Sequence, residues 1–174
     1  MAFLNVEIKA KCKEPGKIRE YLQKRGANFK GLDIQTDTYF NVQNGRLKLR
    51  EGNIENNLIY YERNDQAGPK DSNFSLVKVE NADELKMVLT RSIGVKVVVQ
   101  KNREIYYIDN VKFHIDDVPG LGSFVEIEAG NMLAPLTQKE LEKQCADYMI
   151  AFDLNDEDLI KNSYSDMMIE LLKC

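Results

Sequence analysis

The sequence predicts an α+β domain in which antiparallel strands curl into a barrel, with helices packed outside it. Three observations predict this. Most segments alternate polar and apolar residues with the period of two that a strand requires, turn dipeptides separate them, and helix start signals occur at only a few places. At 174 residues and 43% apolar content the chain has the size of one domain with a sizeable core, so residues 1–174 read as a single unit.

Residues 3–12 alternate and form a first strand. Pro15 then opens an amphipathic helix carrying Ile18, Tyr21 and Leu22 on one side, and Gly26 stops it. Strands over 29–42 and 46–52 are joined by Asn44-Gly45, the signal of a tight hairpin, and another runs from Leu58 to Arg63. The polar stretch Asn64 to Asn73, with Gly68-Pro69 inside it, reads as a mobile loop suited to act as a lid before a strand over 74–79. Asn81 and Glu84 mark a second helix, whose stripe of Leu85, Val88 and Leu89 ends at Gly94. Strands over 95–108, 111–118 and 123–129 are separated by turns at Asp109-Asn110 and Pro119-Gly120-Leu121-Gly122. Thr137 with Glu140 forms a capping box, which opens helical segments reaching to Cys174.

Bulk composition narrows the function classes. A net charge of -4 argues against a protein that coats nucleic acid, since duplex binding calls for a broad basic face. Met1 to Val6 lacks the apolar run of a signal peptide, and no stretch approaches the roughly 20 apolar residues of a membrane helix. The chain is therefore expected to be cytoplasmic and free of membrane partners. Cys12, Cys145 and Cys174 are far apart, and His114 is the one histidine, so a zinc site of sulfur and imidazole ligands is not expected.

The informative feature is the composition of the two strand faces, because successive side chains of a strand point to opposite sides. Glu7, Lys9 and Lys11 share one side of the first strand, against Val6, Ile8 and Ala10 on the other. Arg46, Lys48 and Arg50 alternate with Leu47 and Leu49, and Lys101 shares a side with Arg103. Lys112, His114 and Asp116 alternate with Val111, Phe113 and Ile115, and Glu126 and Glu128 with Val125 and Ile127. With Arg63, nine cations against four carboxylates leave these faces at +5 in a chain of net charge -4. A solvated sheet face is the simpler explanation for any single strand. Runs of like charge such as Arg46, Lys48 and Arg50 are destabilising unless an anion lies between them, which favours a barrel whose charged faces converge on a lumen.

Glu7, Asp116, Glu126 and Glu128 offer hard oxygen ligands for Mg²⁺ or Mn²⁺, and the mixture of Arg and Lys suits a chain of phosphoryl groups. The alternative is that these acids only neutralise the lysines as internal salt bridges. No Walker A loop, GxGxxG turn or GxSxG elbow occurs. His114, with cationic neighbours, reads as a neutral hydrogen-bonding group; Tyr39, Tyr60 and Tyr61 could stack an adenine, although packing is the commoner role of such rings.

Taken in order, these residues resemble the CYTH superfamily of triphosphate tunnel enzymes, nearest its class IV adenylate cyclase branch. The resemblance spans nearly the whole chain. It rests on Val6-Glu7-Ile8-Lys9-Ala10-Lys11, Asp37-Thr38-Tyr39-Phe40, Gly45-Arg46-Leu47-Lys48-Leu49-Arg50, Tyr60-Tyr61-Glu62-Arg63, and Lys101 with Arg103. It continues through His114-Ile115-Asp116, the stretch from Gly120 to Glu128, and Ser163-Tyr164-Ser165-Asp166. It implies a closed antiparallel tunnel of eight strands, Mg²⁺ or Mn²⁺ as cofactor, and a small-molecule triphosphate such as ATP as substrate, with a homodimer possible. Together with the shared faces, it makes Lys11, Lys101 and Arg103 the expected catalytic residues. Lys9, Lys48, Arg50, Arg63, Lys112 and His114 are expected to bind substrate, and Glu7, Asp116, Glu126 and Glu128 to hold metal.

The family pattern is ExExK, and aligned on Glu7 the sequence reads Glu7-x-Lys9-x-Lys11, with Lys9 in place of the second glutamate. That departure is expected to weaken or relocate one metal ion. The implied reaction is ATP cyclisation to cyclic AMP and pyrophosphate, with triphosphate hydrolysis and binding without turnover as alternatives. Alanine at Arg50 or Arg103 is expected to weaken triphosphate binding and leave the fold intact.

Overall fold

The computed structural model describes residues 4–62, 70–71, 73–133 and 135–173. Nine strands are present among them: β1 (Asn5–Lys11), β2 (Asn28–Phe40), β3 (Arg46–Glu51), β4 (Asn57–Glu62), the two-residue β5 (Lys70–Asp71), β6 (Asn73–Lys78), β7 (Val95–Ile108), β8 (Val111–Val118) and β9 (Gly122–Gly130). The helices are α1 (Pro15–Lys24), α2 (Ala82–Ile93), α3 (Gln138–Ala151) and α4 (Tyr164–Leu171), with a 3-10 turn at Asp156–Asp158. The α+β class and the order of elements agree with the sequence. Arg63 and most of the stretch expected to form a lid lie outside the described residues; within that stretch, Lys70–Asp71 is a strand antiparallel to β1.

Local chemistry accounts for the boundaries. Pro15 stands in the first turn of α1, where a missing N–H costs nothing. Asn81 accepts from the Glu84 N–H at the start of α2, and Gly94 closes that helix at φ 77°, a conformation most side chains avoid. Capping boxes open α3, through Thr137 and Glu140, and α4, through Ser163 and Asp166. No helix among the described residues is long and apolar enough to cross a membrane.

The strands form one antiparallel sheet in the order β5-β1-β9-β8-β7-β2-β3-β4-β6. Eight of them are full strands, and the sheet curls. The expected closed barrel is corrected in one respect: the sheet is open, because its edges β5 and β6 are not paired with each other. Consecutive pieces of one segment occupy those edges, β5 against β1 and β6 against β4.

Two apolar clusters bracket the charged residues. The first lies under α1 and α3, where Val6, Ile8 and Ala10 of β1, Phe113 and Ile115 of β8, and Val125 and Ile127 of β9 pack with Ile18, Leu22, Leu141 and Phe152. The period-two reading placed that side of these strands outward, beneath helices, and it is there. The second cluster was not expected. Tyr39, Ile59, Tyr61, Val97, Val99 and Phe124 pack with Tyr164 of α4. Val97 and Val99 alternate in phase with Lys101 and Arg103, so this cluster fills one end of the concave face. α4 therefore seats on the inner side of the sheet, through the edge-on contact of Tyr164 with Phe124 at 5.1 Å.

Candidate functional site

The concave face encloses a cavity of about 180 Å³. β1 contributes Asn5, Glu7 and Lys9 to its wall, β3 contributes Lys48 and Arg50, and β7 contributes Lys101 and Arg103. Lys112 and His114 of β8, and Glu126 and Glu128 of β9, extend the polar wall, Tyr39 of β2, Ile59 and Tyr61 of β4 and Leu76 of β6 supply its apolar part, and Glu55, Ser163 and Tyr164 enter from the connections and from α4. Of the expected site residues, Arg63 lies outside the described residues, and Asp116 is buried behind Arg103 rather than on the wall. Lys11 requires a correction: it is exposed and does not line the cavity. The cause is its register. Lys11 lies opposite Phe124, and at that level the interior is filled by the Phe124 and Tyr164 rings.

Asp37 of β2 is the hub of the first charged group. Its carboxylate accepts from Arg50 Nε at 2.9 Å and Nη2 at 3.0 Å, from Lys48 Nζ at 2.8 Å, and from Lys101 Nζ at 2.7 Å. Burial favours the neutral acid, but the charges of Arg50, Lys101 and Lys48 outweigh it and hold Asp37 well below the usual carboxylate range. Lys101 is driven well below its ordinary value by burial and, despite Asp37, by Arg50, Arg103 and Lys48. The two directions are compatible, because three cations share one carboxylate and lysine is the cation among them that can release a proton.

Arg103 anchors the second group. It reaches Asp116 through Nε at 2.7 Å and Nη2 at 2.5 Å, and Glu126 through Nη2 at 2.8 Å. Tyr164 donates to Asp116 at 2.7 Å. Lys9 meets Glu126 at 3.1 Å, with its ammonium 3.9 Å from the centre of the Tyr164 ring. Burial, with Arg103 and Lys112, lowers His114 to about 3, so the ring is neutral near pH 7, as the sequence implied. Glu126 accepts only, so the proton of the neutral ring is on Nδ1, 3.0 Å from Glu126 Oε2.

The third group centres on Glu55, which takes Arg50 at 2.8 Å and Lys112 at 2.9 Å. Burial again opposes ionisation, and Lys112 and Arg50 overcome it, holding Glu55 below its usual value. Together these contacts revise the expected surplus of positive charge. Each of the six cations on the wall has a carboxylate partner, and Asp37 and Glu55 supply the anions absent from the sequence-level count. The inward placement of Asp37 was legible in principle; that of Glu55, in the connection after β3, was not. Asp33, Gln35 and Asp37 alternate on one side of β2, but Leu32 and Ile34, at 47% and 64% exposure, put hydrophobic residues on the outer side and mask the pattern. Tyr39 and Tyr61 belong to the apolar cluster and at the same time line the cavity beside Lys48.

At the far end of β1 the balance reverses. Glu7 faces Glu128 across the β1–β9 pair, and Asn5 Nδ2 donates to Glu128 Oε1 at 3.1 Å. Burial pushes Glu128 up, and the charges of Glu7 and Glu126 add to the shift. Among the described residues no three His, Cys, Asp or Glu side chains converge as a ready metal site. Glu7, Glu128 and Asn5, neighbours on the wall, carry oxygen donors of the hard kind that a divalent cation takes. Asp116 and Glu126 do not fit one as arranged, being engaged by Arg103 and Lys9.

These directions set the acid response. Asp37 and Glu126 lie below their unfolded values, so their stabilisation is present above roughly pH 4 and is lost as the pH falls through the folded values. Glu128 runs the other way: its contribution is complete below the unfolded value and is lost as the pH rises through the folded one. Urea midpoints measured downward from pH 6 are expected to fall steeply below about pH 4. A flat profile there would show that these pairs carry no net stability.

The class is that of a curled antiparallel sheet whose concave face carries six cations, each held by a carboxylate. The CYTH domain pattern matches residues 4–157, and the chain belongs to that family. "Putative adenylate cyclase MJ0240" of Methanocaldococcus jannaschii is 28% identical, over 94% of this chain and 98% of that one. The PH1012 protein of Pyrococcus horikoshii superposes with a TM-score of 0.80 at 25% identity, covering 93% of this chain and 98% of its own. "Putative adenylyl cyclase HpAC1" from Hippeastrum, described as revealing a dominant triphosphatase activity, shares the fold, with a TM-score of 0.59 at 13% identity over 95% of this chain and 94% of its own.

Proposed function

We propose that this protein is a triphosphate-processing enzyme, with ATP cyclisation as its leading reaction. The observation that carries the reading is the convergence of Lys9, Lys48, Arg50, Lys101, Arg103 and Lys112 on one cavity. A triphosphate carries about four negative charges, and cations already oriented by carboxylates cost little further ordering when phosphate oxygens replace them. Lys48 and Lys101 exchange Asp37 for phosphate, and Lys112 exchanges Glu55, while Arg50 and Arg103 offer paired N–H groups to phosphoryl oxygens.

Glu7, Glu128 and Asn5 would hold Mg²⁺ or Mn²⁺, which when bound neutralises phosphate charge and lowers the pKa of a coordinated hydroxyl. The cations do the rest of the work electrostatically, stabilising the charge that develops on the departing phosphates. The name of the Methanocaldococcus relative makes ATP the first substrate to test. Hydrolysis of a triphosphate is the second reading. It is favoured by the composition of the wall, whose cations grip phosphates whatever group the phosphates carry.

Incubation of the purified protein with ATP, thiamine triphosphate or tripolyphosphate, each with Mg²⁺ or Mn²⁺, separates the readings. Cyclic AMP with pyrophosphate supports the first, and orthophosphate the second. No product from any of them, with no binding, would remove both.

A further inference from the structure

The cavity side of β1 is Asn5, Glu7 and Lys9, with Lys11 outside it. The inward pattern is therefore Asn-x-Glu-x-Lys. The frame of two acids and a lysine, set on Glu7, Lys9 and Lys11 from sequence, slides by two residues toward the N-terminus. Lys9 is then the lysine of the pattern, and Asn5 stands where an acid belongs. The contacts agree with this frame. Lys9 is 5% exposed, pairs with Glu126 and covers the Tyr164 ring, as a built-in cation would. Asn5 reaches Glu128 through its amide N–H, a contact that a carboxylate could not make without sharing a proton.

We infer that Asn5 sets the divalent-cation affinity of this cavity, holding Glu128 by a hydrogen bond in the metal-free protein and removing one negative charge from the donors around a bound ion. The inference rests on the proposed metal-assisted reading of the cavity, and it changes which residue makes this chain unusual. An amide oxygen remains a hard donor, so the cation is retained, but with two carboxylates, Glu7 and Glu128, where an acid at position 5 would give three. It also gives the Glu7–Glu128 pair a neutral neighbour that donates to Glu128.

The test is Mn²⁺ binding to the full chain, followed by the electron paramagnetic resonance signal of free Mn²⁺ with no triphosphate present. Asn5→Glu, and the isosteric Asn5→Asp in case the longer chain disturbs the strand, are expected to tighten Mn²⁺ binding by about tenfold or more. Adding Glu128→Gln to either is expected to remove the gain. Unchanged Mn²⁺ affinity in both folded single variants would overturn the inference, as would tightening by Lys9→Glu in their place. No nucleotide enters the measurement, so its outcome is independent of whether the cavity takes a triphosphate.

Discussion

Replacing Arg103 by alanine is expected to destabilise the protein by roughly 3–5 kcal/mol, besides abolishing tight triphosphate binding. Arg103 is 4% exposed and joins Asp116 to Glu126. Its removal strands two buried carboxylates, which then either keep their charge in a low-dielectric setting or take up protons. Read from sequence, the same change weakens binding and spares the fold, because a lumen cation is pictured as waiting for its anion. The structure gives Arg103 a structural duty in the absence of ligand. Urea denaturation of the variant at pH 7 checks the figure, and a loss below about 1 kcal/mol, the range of an exposed pair, would show that the pairing is loose.

Asp37→Asn is expected to do two opposed things. It leaves Lys48, Arg50 and Lys101 without their shared carboxylate, so the free protein should melt well below the parent. The same change removes the anion that a phosphate must displace, so tripolyphosphate should bind about tenfold more tightly and restore much of the lost stability. Thermal melts with and without tripolyphosphate, together with calorimetry, read both effects. Weaker binding by the variant would mean that Asp37 aims the three cations rather than competing for them.

The contrast between Arg103 and Asp37 shows what was legible in the sequence. Arg46-Leu47-Lys48-Leu49-Arg50 announces itself, since like charges at every second residue fit no apolar core and suit a common face. The acids that neutralise this face come from β2 and from the connection after β3, tens of residues away from Lys101 and Lys112. Their role depends on the curl that brings Asp37 to Lys101 and Glu55 to Lys112, and a one-dimensional pattern does not specify that curl. The hairpin at Asn44-Gly45, the helix caps at Asn81, Thr137 and Ser163, and the outward apolar side of β1, β8 and β9 are local signals. The seating of α4 on the inner face is not local. Ser163 and Asp166 cap that helix, yet nothing in the stretch says that Tyr164 will meet Phe124 and reach Asp116.

The central claim is that phosphates displace Asp37 and Glu55 from the cavity cations. A crystal grown with a nonhydrolysable ATP analogue and Mn²⁺ tests it most directly. Phosphoryl oxygens are expected within hydrogen-bonding distance of Lys48, Arg50, Lys101 and Lys112, with the Asp37 and Glu55 contacts to those cations broken or lengthened. A triphosphate bound elsewhere, with these ion pairs intact, would contradict it.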